Sequence, residues 1–208
     1  MASYYKAVRP DGTDFATGKT RPVVGEWMPR IKGRLVLCER GYHVSDAPAE
    51  TLTGGSWPCR LFEVEIEGDA PPRHIDGHTR LVHTYRPVRE LPAWQALGPN
   101  GEAVAALIER AGRLTKEEAE RLSAAPRAAW DAARVALEAA WGAARGAAWG
   151  AAWGAARYAA WCAARYAARG AWEAAWGAAL ALVCRDLITP EQFDLLYGPW
   201  AGVMEGGR

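Results

Sequence analysis

Residues 141–169 read WGAARGAAWGAAWGAARYAAWCAARYAAR, and this stretch decides the architecture. From Arg127 to Leu180 a tetrad recurs: two alanines, a Trp or Arg, then a small or variable residue. Large residues fall at 130, 134, 138, 141, 145, 149, 153, 157, 161, 165, 169, 172, 176 and 180. Eleven of the thirteen steps are four residues, and the steps 138–141 and 169–172 are three. Such spacing in so much alanine specifies α-helix, because alanine has the best helix propensity and no period of two is present. Six glycines (142, 146, 150, 154, 170 and 177) oppose it by roughly 1 kcal/mol each relative to alanine, and the alanines prevail.

A four-residue step turns about 400° on a helix of 100° per residue, so the stripe drifts about 40° per tetrad. Between Trp141 and Arg169 the large residues rotate by roughly 280° and spiral around the helix. A repeat longer than 3.6 residues favours right-handed wrapping of a partner that follows it. The helix is therefore expected to be packed on several sides, by folded-back segments or by other copies, with Gly170 as the break of a hairpin. Candidate interaction residues are Trp141, Trp149, Trp153, Trp161, Trp172 and Trp176 with Arg145, Arg157, Arg165 and Arg169.

The rest of the 208 residues has a different grammar. Residues 1–95 read as a small mixed domain, with strands at Tyr4–Val8, Leu35–Cys38, Leu61–Ile66 and Leu81–Pro87 between turn signals. In the third, Leu61, Glu63 and Glu65 alternate with Phe62, Val64 and Ile66, the pattern of a half-buried strand. Asp46–Leu52 reads as a short helix with Asp46 as cap. Residues 96–125 form a connector with amphipathic helices at Ala103–Ala111 and Lys116–Ala125, the second opened by the capping box Thr115-x-x-Glu118. Pro126 starts or kinks the next helix. Residues 126–187 are the repeat arm. In 188–208, Thr189-Pro190 opens a last short helix that Gly198-Pro199 stops. The fold class is α+β: a small antiparallel or mixed sheet domain, then an Ala-rich long helix or hairpin and a short C-terminal helix.

With 25 Lys+Arg against 24 Asp+Glu, the formal charge is +1, which excludes a globally basic nucleic-acid binder and an acidic tail. The neutrality is an average, since residues 127–170 hold six basic and two acidic side chains. No run of eighteen apolar residues marks a membrane span, and Met1 to Arg9 lacks the apolar core of a signal peptide. Four cysteines without a C-x-x-C pair point to reduced thiols and a cytoplasmic setting. Cys38, His43, Cys59, His74, His78 and His83 are zinc-type ligands, but their spacing matches no common finger, so no metal is expected. Gly18-Lys19-Thr20 lacks the earlier glycine of a phosphate-binding loop.

Four short motifs keep order and spacing: Tyr5-Lys6, then Cys38-Glu39-Arg40-Gly41-Tyr42-His43, Phe62-Glu63-Val64 with Gly68, and Val88-Arg89-Glu90-Leu91. Over residues 4–92 the chain resembles a small domain of unknown function found in tailed-phage, prophage and actinobacterial proteins, often followed by a low-complexity repeat. The resemblance implies a phage or mobile-element context, in the host cytoplasm or the virion, and no activity.

A weaker resemblance is to ADP-ribosyltransferase-like domains, which order an Arg or His, a Tyr, Ser or His, and a Glu along successive strands. Arg9, then His43 or Tyr42, then Glu63 or Glu65 would fill those places, with NAD as cofactor under that reading alone. No S-T-S-like motif accompanies them. The leading expectation is a non-enzymatic interaction or assembly protein, a homo-oligomer formed through the Trp/Arg arm, with no cofactor and a protein partner not specified by sequence. The alternatives are the enzyme or nucleotide-binding domain with a helical oligomerisation arm, and single-stranded nucleic-acid binding by phosphate contacts and base stacking.

Overall fold

Alternating side chains and short apolar runs produce strands in the first half, and alanine-rich periodicity produces helices in the second. The computed structural model describes residues 3–36, 39–73, 79–124, 135–136, 138, 147–163 and 169–204. The chain divides between Ala96 and Leu97 into two units, so the connector helices, the repeat and the C-terminal helix all belong to the second.

In the first unit β1 (Tyr4–Val8), β2 (Tyr42–Ser45), β3 (Arg60–Ile66), β4 (Thr79–Val82) and β5 (Tyr85–Leu91) form an antiparallel sheet in the order β4-β2-β1-β3-β5. The pleat sorts its two faces. Tyr4 lies opposite Val64 and Lys6 opposite Phe62, and Tyr4, Val8, Val44, Phe62, Val64, Val82 and Tyr85 close a core with Met28. Tyr5, His43, Ser45, Glu63 and Glu65 belong to the other face by register. A 3-10 turn, Pro48–Leu52, packs against β1 and β2, and the Glu50 carboxylate accepts from the Asp46 and Ala47 amides. Strand β5 ends the sheet, but its edge is not bare. The amides of Gly25, Met28 and Ile31 donate to the carbonyls of Pro87, Tyr85 and His83 at 2.8, 2.9 and 2.9 Å.

Two strand expectations need revision. Of the strand expected over Leu35–Cys38, Leu35 and Val36 belong to none, and residues 37 and 38 lie outside the described residues; Val36 makes one bridge, to Arg40, whose amide returns to the Val36 carbonyl at 2.7 Å. The chain turns back on itself there, and the sheet takes Tyr42–Ser45 instead, after Gly41 at φ 147°. The single strand expected over Leu81–Pro87 is two, because the chain turns a corner at His83-Thr84. The Thr84 hydroxyl donates to the Met28 carbonyl at 2.6 Å and holds that corner.

In the second unit, α1 (Gly101–Ala111), α2 (Lys116–Ser123), α3 (Ala147–Ala163), α4 (Arg169–Val183) and α5 (Pro190–Met204) are the bounded helices among the described residues. The Thr115/Glu118 capping box is formed: the Glu118 amide donates to Thr115 Oγ1, and the Thr115 amide to Glu118 Oε2. A second box joins Thr189 and Gln192. Helix α5 does not stop at Gly198-Pro199 but runs through Pro199 to Met204. An internal proline costs about 3 kcal/mol. Trp200, one residue later, is buried, and hiding 150–250 Å² of indole at roughly 25 cal/mol per Å² more than offsets that cost.

The repeat folds with its small residues inward. Ala155, Ala156, Ala159, Ala160 and Ala163 of α3, and Ala171, Ala174, Ala175, Ala178 and Ala179 of α4, are 0 % exposed. Trp161, Trp153 and Trp172 are 68, 46 and 39 % exposed. An alanine pair spans about 100° of helix surface, wide enough to absorb the 40° drift per tetrad over the described turns. Helix α3 packs on α1 and α4, and α4 also packs on α2 and α5. Gly170 is the second residue of α4 rather than a break; Pro126 lies outside the described residues. A methyl group on Gly170 would overlap Ser123 Cα and stand 3.0 Å from the Leu122 carbonyl, and one on Gly177 would stand 3.1 Å from the Leu196 carbonyl.

Gly170→Val therefore drives a side chain into the α2 backbone and is expected to cost about 1–3 kcal/mol in urea unfolding. Gly202→Ala in α5, with nothing within 4 Å, is expected to be neutral or to gain up to about 1 kcal/mol. Equal loss in both variants would contradict the close approach of α4.

Candidate functional site

Two groups of residues have a claim to function, one in each unit. In the second unit the four-residue spacing puts Trp153, Arg157 and Trp161 on successive turns of α3, and Trp172 and Trp176 on successive turns of α4. Trp153 meets Trp176 edge-to-face, with ring centroids 5.5 Å apart and planes at 88°. Trp176 stacks on Trp172 at 5.2 Å and 27°, and Tyr158 leans on Trp161 at 5.5 Å. Only five residues separate α3 from α4, and Trp153, ten residues before the end of α3, meets Trp176, seven after the start of α4, so the two helices run antiparallel. The result is an aromatic ladder across two helices, with Trp176 half-buried in its middle and Trp153 and Trp172 exposed beside it. Aromatic pairs of this kind contribute about 0.5–1.5 kcal/mol beyond area burial. Arg157 is exposed between Trp153 and Trp161. Trp149 and Arg169 lie in α3 and α4 as backbone positions only; Trp141, Arg145 and Arg165 lie outside the described residues.

In the first unit Arg9 follows β1, and its Nη2 donates to the Phe15 carbonyl at 3.0 Å. It lines a groove of about 610 Å³ with Asp11, Phe15, Gly54, Ser56 and Pro58. His43 sits on β2 opposite Leu81. Glu63 accepts from the Ser3 hydroxyl and from Arg89 Nε, both at 2.6 Å, and these two bonds hold its carboxyl below the usual range. Glu65 is ion-paired with Arg86. Register puts Ser45, Tyr5 and Glu63 in one row across the sheet, so His43 is one pleat repeat and two strands away from Glu63. That is roughly 12 Å, and further for Glu65. His43, Glu63 and Glu65 share a face without converging, both glutamates are occupied by arginines, and Arg9 alone reaches the groove.

Other titratable groups settle smaller points. Burial pushes the Cys59 thiol up to about 12 and the Cys184 thiol up to about 11, so both stay protonated. His83 Nδ1 is 2.8 Å from the Ile31 carbonyl. Among the described residues no group of three or more His, Cys, Asp or Glu could hold a metal; Cys38, His74 and His78 lie outside them.

Sequence reasoning missed Lys6 and Asp14. Lys6 has the parity of Tyr4 and Val8, the core side of the central strand, and that parity was the available signal. Asp14 is buried in a loop and organises it: its carboxylate accepts from the Thr17 amide and hydroxyl at 2.6 Å each and from the Thr20 amide at 2.9 Å. Burial pushes its pKa up, but these hydrogen bonds outweigh it and leave the group far below the usual carboxylate range.

Comparison of the chain with family models, with curated proteins and with solved structures finds no match.

Because Asp14 binds its proton more weakly folded than unfolded, its stabilisation is complete above about pH 4 and is lost as the pH falls below it. Asp14→Asn is expected to lower stability at pH 7 by roughly 1–3 kcal/mol and to flatten the acid limb of a stability-pH curve measured by urea titration. An unchanged acid limb would contradict the assignment.

Proposed function

We propose that the chain is an interaction protein that associates with further copies of itself through the aromatic face of α3 and α4. The observation that supports this reading is the inversion of the repeat: alanines fill the interior and tryptophans lie outside. Exposed, contiguous aromatic surface is costly in water and is the usual material of interface centres, where Trp is enriched among residues that dominate binding. A second copy is the occupant this face suits. It carries the same Trp ladder, and a closed two-fold pairing needs a self-complementary patch. The α3–α4 pair is then a helical hairpin that presents the face. A phage or prophage protein acting in the cytoplasm agrees with the motif resemblance and with four cysteines that include no C-x-x-C pair. Among the described residues no helix is long and apolar enough to cross a membrane.

Nucleic-acid binding is the second reading, supported by Arg157 standing exposed between two exposed tryptophans. The ADP-ribosyltransferase-like reading has less support, since Glu63 and Glu65 are held in ion pairs and lie rows away from His43.

Sedimentation velocity of the full chain tests the proposal. The wild type is expected to sediment as an oligomer, and Trp153→Ala/Trp172→Ala as a smaller species with the same helical circular dichroism. A monomeric wild type, or an oligomer indifferent to the substitutions, would overturn it. A salt-sensitive gel shift with single-stranded DNA that the same variant abolishes would reassign the face to nucleic acid.

A further inference from the structure

The groove that follows β1 is lined by two opposite charges that the fold leaves unpaired. Arg9 and Asp11 stand on one turn, which the Gly12 amide closes on the Arg9 carbonyl at 2.9 Å. Each charged head is fixed by one end. Arg9 Nη2 donates to the Phe15 carbonyl at 3.0 Å, and Nη1 lies where a methyl group on Gly18 would come within 3.2 Å. Asp11 Oδ1 accepts from the Thr13 amide at 2.9 Å and from the Thr13 hydroxyl at 2.7 Å. Those two bonds, and then the charges of Arg21 and Arg9, hold the Asp11 carboxyl below the usual carboxylate range.

The other ends are uncommitted. Among the described residues Arg9 and Asp11 form no ion pair, with each other or with any third group, and Asp11 Oδ2 accepts no hydrogen bond. Elsewhere in the same unit Arg60, Arg80 and Arg89 are closed onto Glu90, Asp46 and Glu63. The Ser56 hydroxyl, which also lines the groove, has no partner among the described residues. The remaining walls are apolar: Pro10, Phe15 and Pro58. The half-buried Phe15 ring lies so close on Gly55 that a methyl group there would stand 3.1 Å from Cε2. Gly54, at φ 81°, has nothing within 4 Å of the position of a Cβ, so the rim is open beside it. The volume of about 610 Å³ falls within the roughly 300–1,000 Å³ of small-molecule sites.

We propose that this groove binds a free α-amino acid with an aromatic side chain. The ligand carboxylate takes the unused N–H groups of Arg9, with the Ser56 hydroxyl as a second donor. The ligand ammonium takes Asp11 Oδ2, and the ring lies among Pro10, Phe15 and Pro58. Both protein charges are set in place before binding, so little ordering is left to oppose it. The pair of charges selects the class. A carboxylate without an amine leaves Asp11 unmatched, and an amine without a carboxylate leaves Arg9 unmatched. A phosphate would set about two negative charges against Asp11. An amino acid with a small side chain leaves the ring walls wet. The groove belongs wholly to the first unit, so this binding is independent of association through α3 and α4.

Saturation-transfer NMR on the full-length protein at pH 7 tests the assignment with four probes: L-phenylalanine, L-alanine, phenethylamine and phenylpropionate. Phenylalanine is expected to bind with a Kd of about 1 mM or below, and each of the other three at least roughly tenfold more weakly. Asp11→Asn keeps the Oδ1 acceptor for Thr13, and in it phenylalanine is expected to lose its advantage over phenylpropionate. In Arg9→Gln its advantage over phenethylamine is expected to disappear. Absence of transfer to phenylalanine at about 10 mM, or wild-type binding of any other probe as tight as phenylalanine, would overturn the proposal. So would ratios left unchanged in both variants, the result expected if the ring merely adheres to the exposed tryptophans of α3 and α4.

Discussion

Two helices can come only as close as the side chains between them allow, and in the helical unit that limit is set by hydrogen and methyl groups. Gly170 lies against the α2 backbone, Gly177 against the Leu196 carbonyl, and ten alanines of α3 and α4 are sealed from water. Where the interior of α3 and α4 is lined by alanine and glycine, Trp153, Arg157, Trp161 and Trp172 are left on the outside. The exposed aromatic ladder is thus a geometric consequence of the alanine core. An alanine contributes about one methyl of burial, roughly 0.8 kcal/mol per carbon, so these layers are thin in hydrophobic energy. Part of the deficit is met by helix propensity and part by larger buried residues elsewhere in the unit: Val104, Leu107, Leu122, Leu180, Leu196 and Trp200.

The sheet unit follows the opposite rule, in which large side chains fill the core. Glu63 and Glu65 are paired with Arg89 and Arg86 on one side, and Arg60 with Glu90 on the other. These are cross-strand pairs with partly exposed partners, worth well under a few kcal/mol each. They fix register more than they supply stability. Polar side chains also stand on the core side of the sheet, Lys6 on the central strand, Arg60 with Glu90, and Arg80 over the Tyr4 ring.

Where one period dominates, the sequence was legible. Leu61–Ile66 alternates and is a strand, Thr115 and Glu118 cap a helix, and the tetrads within Ala147–Ala163 and Arg169–Val183 are helical. Legibility failed where a tertiary contact overrules local chemistry. Gly198-Pro199 reads as a stop, yet burial of Trp200 carries α5 through it. Leu81–Pro87 reads as one strand, yet the Thr84 bond to Met28, 56 residues away, folds it into a corner. The direction of the repeat was not legible at all. Spacing fixes which residues share a face but not which face turns inward, and convention assigns tryptophan to the core. The candidate triad of Arg9, His43 and Glu63 or Glu65 shows the same gap, since order along strands says nothing about rows across a sheet.

Why the tryptophans stay exposed can be argued from their own contacts. Were the ladder a stabilising rim only, its rings would gain most by lying flat on the helices that carry them. Instead Trp153 stands on edge against Trp176, while Trp161, eight residues on, is two-thirds exposed and touches Tyr158 of its own helix. Rings that brace one another upright keep apolar area in water that a flat arrangement would hide. At roughly 25 cal/mol per Å², leaving even half of one indole wet forgoes about 2–3 kcal/mol, a sum comparable to several aromatic pairs. Intrachain contacts therefore recover only part of what the exposed rings could yield. The remainder is available to whatever docks on α3 and α4, and another copy of the same ladder offers the complementary rings and the small intervening residues that would let two such faces close.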